Sequence, residues 1–354
     1  MRITLPVRRA ILERQTYEAP AEGRKGKIRL DFNENTTGCS EASRKALARL
    51  TAKEIAMYPE YEQSSRKIAR YLSVQPHEIA LTNGGDEALR VFFDTFVESG
   101  DNILICEPTF PMYRYYAEIA GAHVEALRYT SEMDFPVSEA VTALRKKPKV
   151  FFLANPNNPT GTLVAKEVLR KLLRVAKHTV FVLDEAYSDF SGVTGISWIR
   201  AYPQLFIAKT FSKAAGMASL RLGAVIGQRH SLSFVRRALP PYPVNAAALA
   251  AAIAAIEEKK TISRYVAGVK HLRKWFSQEL HGHGARVYPS AGNFVLVDFG
   301  KHGPSIFKKL VSRNILVRQR KELGPGFARI TIGTEQELKL LLETVPKIVR
   351  NPNE

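Results

Sequence analysis

Apolar residues fall into short unbroken runs rather than strict alternation along much of this chain. Ile79-Ala-Leu-Thr82, Asn102-Ile-Leu-Ile-Cys106, Val150-Phe-Phe-Leu-Ala154, Thr179-Val-Phe-Val-Leu183 and Leu205-Phe-Ile-Ala208 each stop at a turn or a polar residue. A strand covered on both faces needs no polar side, so such runs predict buried strands. Between about residues 77 and 230 they alternate with amphipathic stretches. One of these, residues 162–177, carries Leu163, Val164, Val168, Leu172 and Val175 near helical spacing. Strands alternating with helices predict an α/β fold with a mostly parallel sheet. Residues 245–280 read as helix linking two parts of the chain. After Gly282 the texture changes. Asn293–Asp298 and Ala328–Ile332 alternate more as antiparallel strands do, with helices expected at about 303–312 and 334–348. The expected division is an N-terminal arm over residues 1–30, a large α/β domain over 31–255 and a smaller α+β domain over 256–354.

The chain has 354 residues and 45% of them are hydrophobic, which is enough for a large core. Its two cysteines, Cys39 and Cys106, are too few for a disulfide framework or a four-cysteine zinc site. Cys106, inside an apolar run, reads as a plain buried thiol, and no metal is expected. The longest apolar run, Ala246–Ile256, has 11 residues. A membrane span needs about 20. The N-terminus carries charges where a secretory signal would be apolar, so a cytoplasmic protein without a membrane partner is expected. Net charge is +18. A basic surface suits nucleic acid or small anions. Lys and Arg are scattered apart from Arg145–Lys149 and Arg318–Lys321, with no aromatic-interleaved basic repeat. Small anionic substrates are therefore expected, and nucleic acid is not.

In open α/β sheets ligands bind outside the carboxyl ends of the strands. The polar residues that close each apolar run are thus the candidate chemistry. Asn83-Gly-Gly-Asp86 precedes an expected helix. Such a start offers unpaired N–H groups and a positive dipole end to a phosphate, although the same residues also make an ordinary turn. Asp184 directly follows a buried run, where a carboxylate needs a partner. A metal, a helix cap and a protonated ring nitrogen all remain open, and Tyr187 falls close by. Lys213 sits in a Ser-, Lys- and Gly-rich loop with Arg221 eight residues on. It is either a surface lysine or a desolvated amine able to form a Schiff base. Asn155-Pro-Asn-Asn-Pro-Thr-Gly161 reads as a rigid turn in which proline limits the freedom of Asn158, whose amide can donate to a ligand.

Asn155–Gly161, Asp184-Glu-Ala-Tyr187 and Thr210-Phe-Ser-Lys213 with Arg221-Leu-Gly223 occur in an order and spacing that resemble pyridoxal-phosphate aminotransferases of fold type I. Within that family the similarity is greatest to the histidinol-phosphate aminotransferases. Leu30-Asp-Phe-Asn-Glu-Asn35, Tyr58-Pro-Glu60, Thr82–Glu87, Pro108-Thr-Phe110 and Arg329-Ile-Thr-Ile-Gly333 extend it over about residues 17 to 345. The resemblance implies that Lys213 holds pyridoxal 5′-phosphate as a Schiff base and moves the substrate proton. It implies that Asp184 pairs with the ring nitrogen, Asn158 and Tyr187 contact the ring oxygen, and Phe110 stacks on the ring. The phosphate falls to the N–H groups of Gly85 and Asp86, with Thr210, Ser212 and Arg221. Tyr58 reaches the other subunit's cofactor, which implies a homodimer with shared sites. Tyr17, Asn33, Arg318 and Arg329 are the implied substrate contacts.

The implied reaction converts histidinol phosphate and 2-oxoglutarate to imidazole acetol phosphate and glutamate, ping-pong, in histidine biosynthesis. An aromatic amino-acid aminotransferase using Phe110, Tyr17 and Phe32, or a threonine-phosphate decarboxylase-like enzyme, are the alternatives. The chain departs from the family at Thr36-Thr-Gly38, where proline is usual after Asn-Glu-Asn, and at Met217 and Ser219.

Overall fold

The computed structural model describes residues 5–12 and 22–348, so Tyr17 lies outside the described residues. Two sheets organise the chain. The first strand, β1 (Ile28–Leu30), belongs to the smaller sheet. The larger is built from β2 (Ile79–Asn83), β3 (Asn102–Glu107), β4 (His123–Arg128), β5 (Val150–Ala154), β6 (Val180–Asp184), β7 (Leu205–Thr210) and β8 (Leu222–Gly227). Its order is β2-β8-β7-β6-β5-β3-β4. Strand β8 runs antiparallel to both neighbours, and the remaining pairs are parallel. All five apolar runs are strands. β4 and β8 are additions to the expected set.

The unbroken runs have a physical cause in this sheet. Leu104, Phe151, Leu153, Phe181, Leu183 and Ile207 enter one buried cluster. Ile103, Ile105, Phe152, Val182, Phe206 and Val225, at alternate positions, enter another. Both faces are covered, so neither parity of side chain is polar. The crossover helix, expected over 162–177, spans Lys166–Val175 and buries Leu169, Leu172 and Leu173 while its lysines and arginines face water. The helical region 245–280 is two helices, Ala246–Glu257 and Lys259–Gly282, separated at Glu258. Asn245 caps the first by accepting from the Ala248 N–H at 2.8 Å.

The smaller sheet adds β9 (Arg286–Tyr288), β10 (Phe294–Asp298), β11 (Ile315–Gln319) and β12 (Phe327–Thr331) in the order β1-β11-β12-β10-β9. It is antiparallel except that β1 lies parallel to β11. The end of the expected arm is thus a strand, with Leu30 fully buried. Helices Gly303–Ser312 and Glu335–Thr344 fall where expected. Among the described residues, no helix is long and apolar enough to cross a membrane.

Candidate active site

Strand direction decides what meets. Parallel β5, β6 and β7 end at one edge of the large sheet. Because β8 is antiparallel to β2 and β7, β2 ends there too and β8 begins there. The turn after β5, the last residues of β6 and β7, the helix after β2 and the residue before β8 therefore share one edge. A cavity of about 540 Å³ lies over it.

At one end of the cavity, helix Gly84–Phe96 starts against β8. Gly84 has φ +78°, and a Cβ there would stand 2.6 Å from Arg221 Nη2. A Cβ at Gly223 would stand 2.4 Å from the Gly84 oxygen. Only glycine allows this approach. Arg221 Nη2 donates to Asp86 Oδ2 at 2.7 Å. The Thr210 and Ser212 hydroxyls lie 3.0 Å apart beside Gly85, and all of these residues line the cavity. Helix-start N–H groups, two hydroxyls and a guanidinium make a donor set for a dianion.

In the middle stands Asp184, 8% exposed. Its Oδ2 accepts from the Tyr113 hydroxyl at 2.6 Å and its Oδ1 from the Ala186 N–H at 3.0 Å. Burial pushes its pKa up, against the two hydrogen bonds. Among the described residues no lysine or arginine forms an ion pair with it. Tyr113 itself is fully buried and stacked on Phe152, with ring centroids 5.4 Å apart. It lies one helical turn beyond Phe110, which lines the cavity. That spacing was the only trace of it in the sequence.

Lys213 Nζ donates to the Phe32 carbonyl at 2.9 Å and lies 5.8 Å from the Tyr187 ring centroid. Tyr187 Oη accepts from Asn33 Nδ2 at 2.9 Å. Asn33, expected at the substrate, is fully buried and does not line the cavity, because its amide is spent on Tyr187. It supports the site from behind.

At the far end Arg329, on β12, enters from the smaller sheet. Its Nη1 donates to Asn158 Oδ1 and its Nη2 to the Asp31 carbonyl, while Nε has no partner. Burial pushes its pKa down to about 10; Tyr187 opposes this, and Arg320 and Arg318 add to it. Arg318 sits opposite Arg329 across the β11–β12 pair. Neither Arg318 nor Arg329 forms an ion pair among the described residues.

Three polar residues near the site were not singled out by the sequence reading. Arg24, Glu185 and Lys209 are all buried. Lys209 donates to Ser188 Oγ at 2.7 Å and lies 3.4 Å from Asp189 Oδ2. Burial works against its charge, but Asp189 and Glu185 outweigh it and hold the amine above the usual lysine range. Tyr58 stands apart from the cavity, 76% exposed and stacked on Tyr242 at 4.3 Å. Thr36, where the family usually has proline, donates to Glu337 Oε2 at 2.7 Å. Among the described residues no group of three or more His, Cys, Asp or Glu is arranged to hold a metal ion.

Residues 25–345 match the model of the family described as aminotransferase class I and II. The chain belongs to the class I and II aminotransferases. A histidinol-phosphate aminotransferase of Geobacillus sp. (strain WCH70) is 33% identical to this aminotransferase over 331 residues, 91% of this chain and 90% of the relative. One of Geobacillus thermodenitrificans (strain NG80-2) is 34% identical, again over 91% of this chain and 90% of the relative. The crystal structure of a histidinol-phosphate aminotransferase from Sinorhizobium meliloti, in complex with pyridoxal 5′-phosphate, superposes with a TM-score of 0.89. At 24% identity over 97% of each chain, that likeness shows the fold, which is fold type I.

The aminotransferase is a pyridoxal 5′-phosphate-dependent transaminase. Its cavity fits the cofactor. The donor set at helix Gly84–Phe96 suits the phosphate. Asp184 is a buried carboxylate that opens on the cavity with no ion-pair partner among the described residues, which suits a protonated ring nitrogen. Tyr113 then has a consequence that can be measured. In Tyr113→Phe, Asp184 keeps only the Ala186 N–H, and its pKa rises further. A hydrogen bond to a charged group is worth about 1.5–3 kcal/mol. The apoprotein's Kd for pyridoxal 5′-phosphate is expected to rise roughly 10- to 100-fold. A wild-type Kd in Tyr113→Phe would remove this role.

Proposed function

We propose that this aminotransferase exchanges an amino group between histidinol phosphate and 2-oxoglutarate, giving imidazole acetol phosphate and glutamate, as a cytoplasmic homodimer in histidine biosynthesis. The observation that carries the reading is the pair Arg318 and Arg329, without ion-pair partners among the described residues, in the cavity that holds Lys213 and Asp184. Both substrates carry an anionic group away from the reacting carbon. Guanidinium groups meet carboxylate and phosphate oxygens with two parallel hydrogen bonds. The relatives that are about a third identical are named histidinol-phosphate aminotransferases, which supports this choice among anionic substrates. Phe32 and Phe110 also line the cavity. They suit a flat imidazole as well as a phenyl ring and do not choose between donors.

When bound, pyridoxal 5′-phosphate supplies an electron sink for the charge left on the substrate Cα. The chain's own groups do the rest. Asp184 would hold the proton on the ring nitrogen by ion pairing. Lys213 Nζ would take the proton from Cα of the amino donor and pass it to the cofactor carbon that receives the amino group, and in the second half would carry it back from that carbon to Cα of the oxo acid. The helix start and Arg221 grip the phosphate, so binding energy remote from the reaction fixes its geometry. A net charge of +18 draws anions toward the cavity. Ile55, Met57 and Tyr58, close in sequence, and Tyr242, stacked on Tyr58, are large apolar side chains left in water, which supports their cover by a second subunit in a homodimer. The larger sheet ends at Gly227 and the smaller resumes at Arg286, which supports a division in the helical region between them. The boundary at residues 255 and 256 falls inside helix Ala246–Glu257, just before the break at Glu258, and β1 is the arm's contribution to the smaller domain.

The half-reaction tests the substrate. The purified holoenzyme is mixed separately with histidinol phosphate, phenylalanine and threonine phosphate. Histidinol phosphate is expected to bleach the visible cofactor absorbance quickly, and 2-oxoglutarate to restore it. Faster bleaching by phenylalanine would make the enzyme an aromatic aminotransferase, and carbon dioxide release from threonine phosphate would make it a decarboxylase.

A further inference from the structure

Three consecutive peptide carbonyls after β1 are each taken by a side chain. The Asp31 oxygen accepts from Arg329 Nη2, the Phe32 oxygen from Lys213 Nζ at 2.9 Å, and the Asn33 oxygen from Asn293 Nδ2 at 3.1 Å. Two of these donors are the proposed proton carrier and the proposed anion receptor. The carbonyls can aim them only as well as the segment itself is fixed. No regular element fixes it. Strand β1 ends at Leu30, and Asn33 has φ +55°, so the backbone leaves the extended conformation there.

One buried side chain does hold it. Arg24 Nε donates to Asp31 Oδ2 at 3.1 Å, and its Nη2 donates to Asp31 Oδ1 at 2.7 Å and to Glu34 Oε2 at 2.8 Å. Its Cζ lies 3.9 Å from the Phe32 ring centroid. A single guanidinium thus grips residues 31, 32 and 34. The intervening Asn33 is tied to Thr331 through its N–H, at 3.0 Å, and to Tyr187 through its amide. Burial works against the charge on Arg24, but hydrogen bonds with Asp31 and Glu34 outweigh it and raise its pKa. A planar fork that also stacks on a ring is not replaced by lysine.

We propose that Arg24 is a positioning residue that fixes the Asp31 and Phe32 carbonyls, and through them the resting place of Lys213 Nζ and the aim of Arg329. This rests on the proposed roles of Lys213 and Arg329. Arg24 does not itself line the cavity. Its effect is geometric: a misplacement of about 1 Å near the reacting atoms can cost roughly 100-fold.

The test uses the holoenzymes of wild type, Arg24→Met and Arg24→Lys. The first readout is the pH midpoint of the visible band of the Lys213-bound cofactor, which needs no turnover. Lys213 Nζ contacts the Phe32 carbonyl and the Tyr187 ring, and the charged groups that line the same cavity are Glu34, Asp86, Asp184, Lys209, Arg221, Arg318, Arg320 and Arg329; all of these remain in the Arg24 variants. In Arg24→Met the midpoint is expected to move by about half a pH unit or more. The kcat is expected to fall roughly 10- to 100-fold, with a rise in KM for 2-oxoglutarate. Arg24→Lys should recover part of each. If Arg24→Met does not fold, Asp31→Asn, which keeps the shape but weakens the grip, takes its place, with smaller shifts in the same direction. A folded variant with the wild-type midpoint, kcat and KM, and only a lower Tm, would overturn the proposal. Wild type that is not bleached by histidinol phosphate would instead defeat the substrate reading, and the midpoint comparison would still decide Arg24.

Discussion

Lys213→Ala is expected to abolish turnover and the visible absorbance of the lysine-bound cofactor while leaving the fold intact. Among the described residues Lys213 Nζ hydrogen-bonds to a carbonyl oxygen and has no carboxylate partner, so truncation strands no buried charge there. Little stability should be lost. Activity is another matter, because two functions leave together. Loss of a positioned general base costs roughly 10²–10⁴-fold. Loss of the covalent attachment adds to it, so kcat should fall by at least about 10⁴-fold. Lys209, four residues earlier, offers no rescue. Its amine is committed to Ser188 and Asp189 and is held protonated above the usual lysine range. A protonated amine is no base. The variant should still take up pyridoxal 5′-phosphate, because the donors around Gly85 and Arg221 are untouched. The measurements are single-turnover kinetics with histidinol phosphate, the visible spectrum and thermal unfolding. Turnover within tenfold of wild type would remove the mechanism.

How much of this was legible in the sequence follows from how local each signal is. Five of the seven strands of the large sheet could be read because burial on both faces leaves unbroken apolar runs. β4 could not, because it is only half-buried and His123, Glu125 and Arg128 interrupt its run, whereas β2, at the other edge, is covered and apolar. β8 starts within the last two residues of the motif that ends with Arg221-Leu-Gly223, where the sequence drew attention to chemistry rather than to a strand. Its reversed direction is nevertheless what brings Arg221 to the edge where the other strands end. β1 has three residues and exists through its pairing with β11, far along the chain.

The same rule divides the site. Asp184 was legible because a carboxylate closing an apolar run is locally anomalous. Its partner Tyr113 was not, since a tyrosine in an amphipathic helix is ordinary until the fold buries it against a carboxylate. Arg24 sits among the scattered basic residues of the arm, and only the return of residues 31–34 over it makes it a buried clamp. Asn33 was expected at the substrate because its motif was recognised. The motif identifies a residue that matters and is silent on which side of Tyr187 it stands.

Asp184→Asn is expected to separate function from stability. In the apoprotein, burial raises the Asp184 pKa above its unfolded value of about 3.9. A carboxyl with a raised folded pKa contributes stability that is complete below the unfolded pKa and is lost as pH rises through the folded one. At any pH above the raised pKa the apoprotein therefore bears the cost of ionising a buried group that has no ion-pair partner among the described residues. Asparagine removes that charge and keeps two contacts, although the Tyr113 hydroxyl gives up its acceptor. Its oxygen can accept from the Ala186 N–H, and its amide can donate to the Tyr113 oxygen. The apo variant should be at least as stable as wild type at pH 7, with the difference shrinking as pH falls through the raised pKa toward the ordinary aspartate value. The holoenzyme should show the reverse. Wild type gains the ion pair with the ring nitrogen, so added pyridoxal 5′-phosphate should raise its Tm more than that of the variant, by linkage to the tighter Kd. Without that pair the electron sink is weakened, and kcat should fall by roughly 10²–10³-fold or more. Thermal unfolding with and without cofactor, across pH, alongside kcat, reads all three effects. An apo variant less stable than wild type at pH 7, or one with wild-type kcat, would mean that Asp184 is a structural acid and that the cation completing it belongs to the protein rather than to the cofactor.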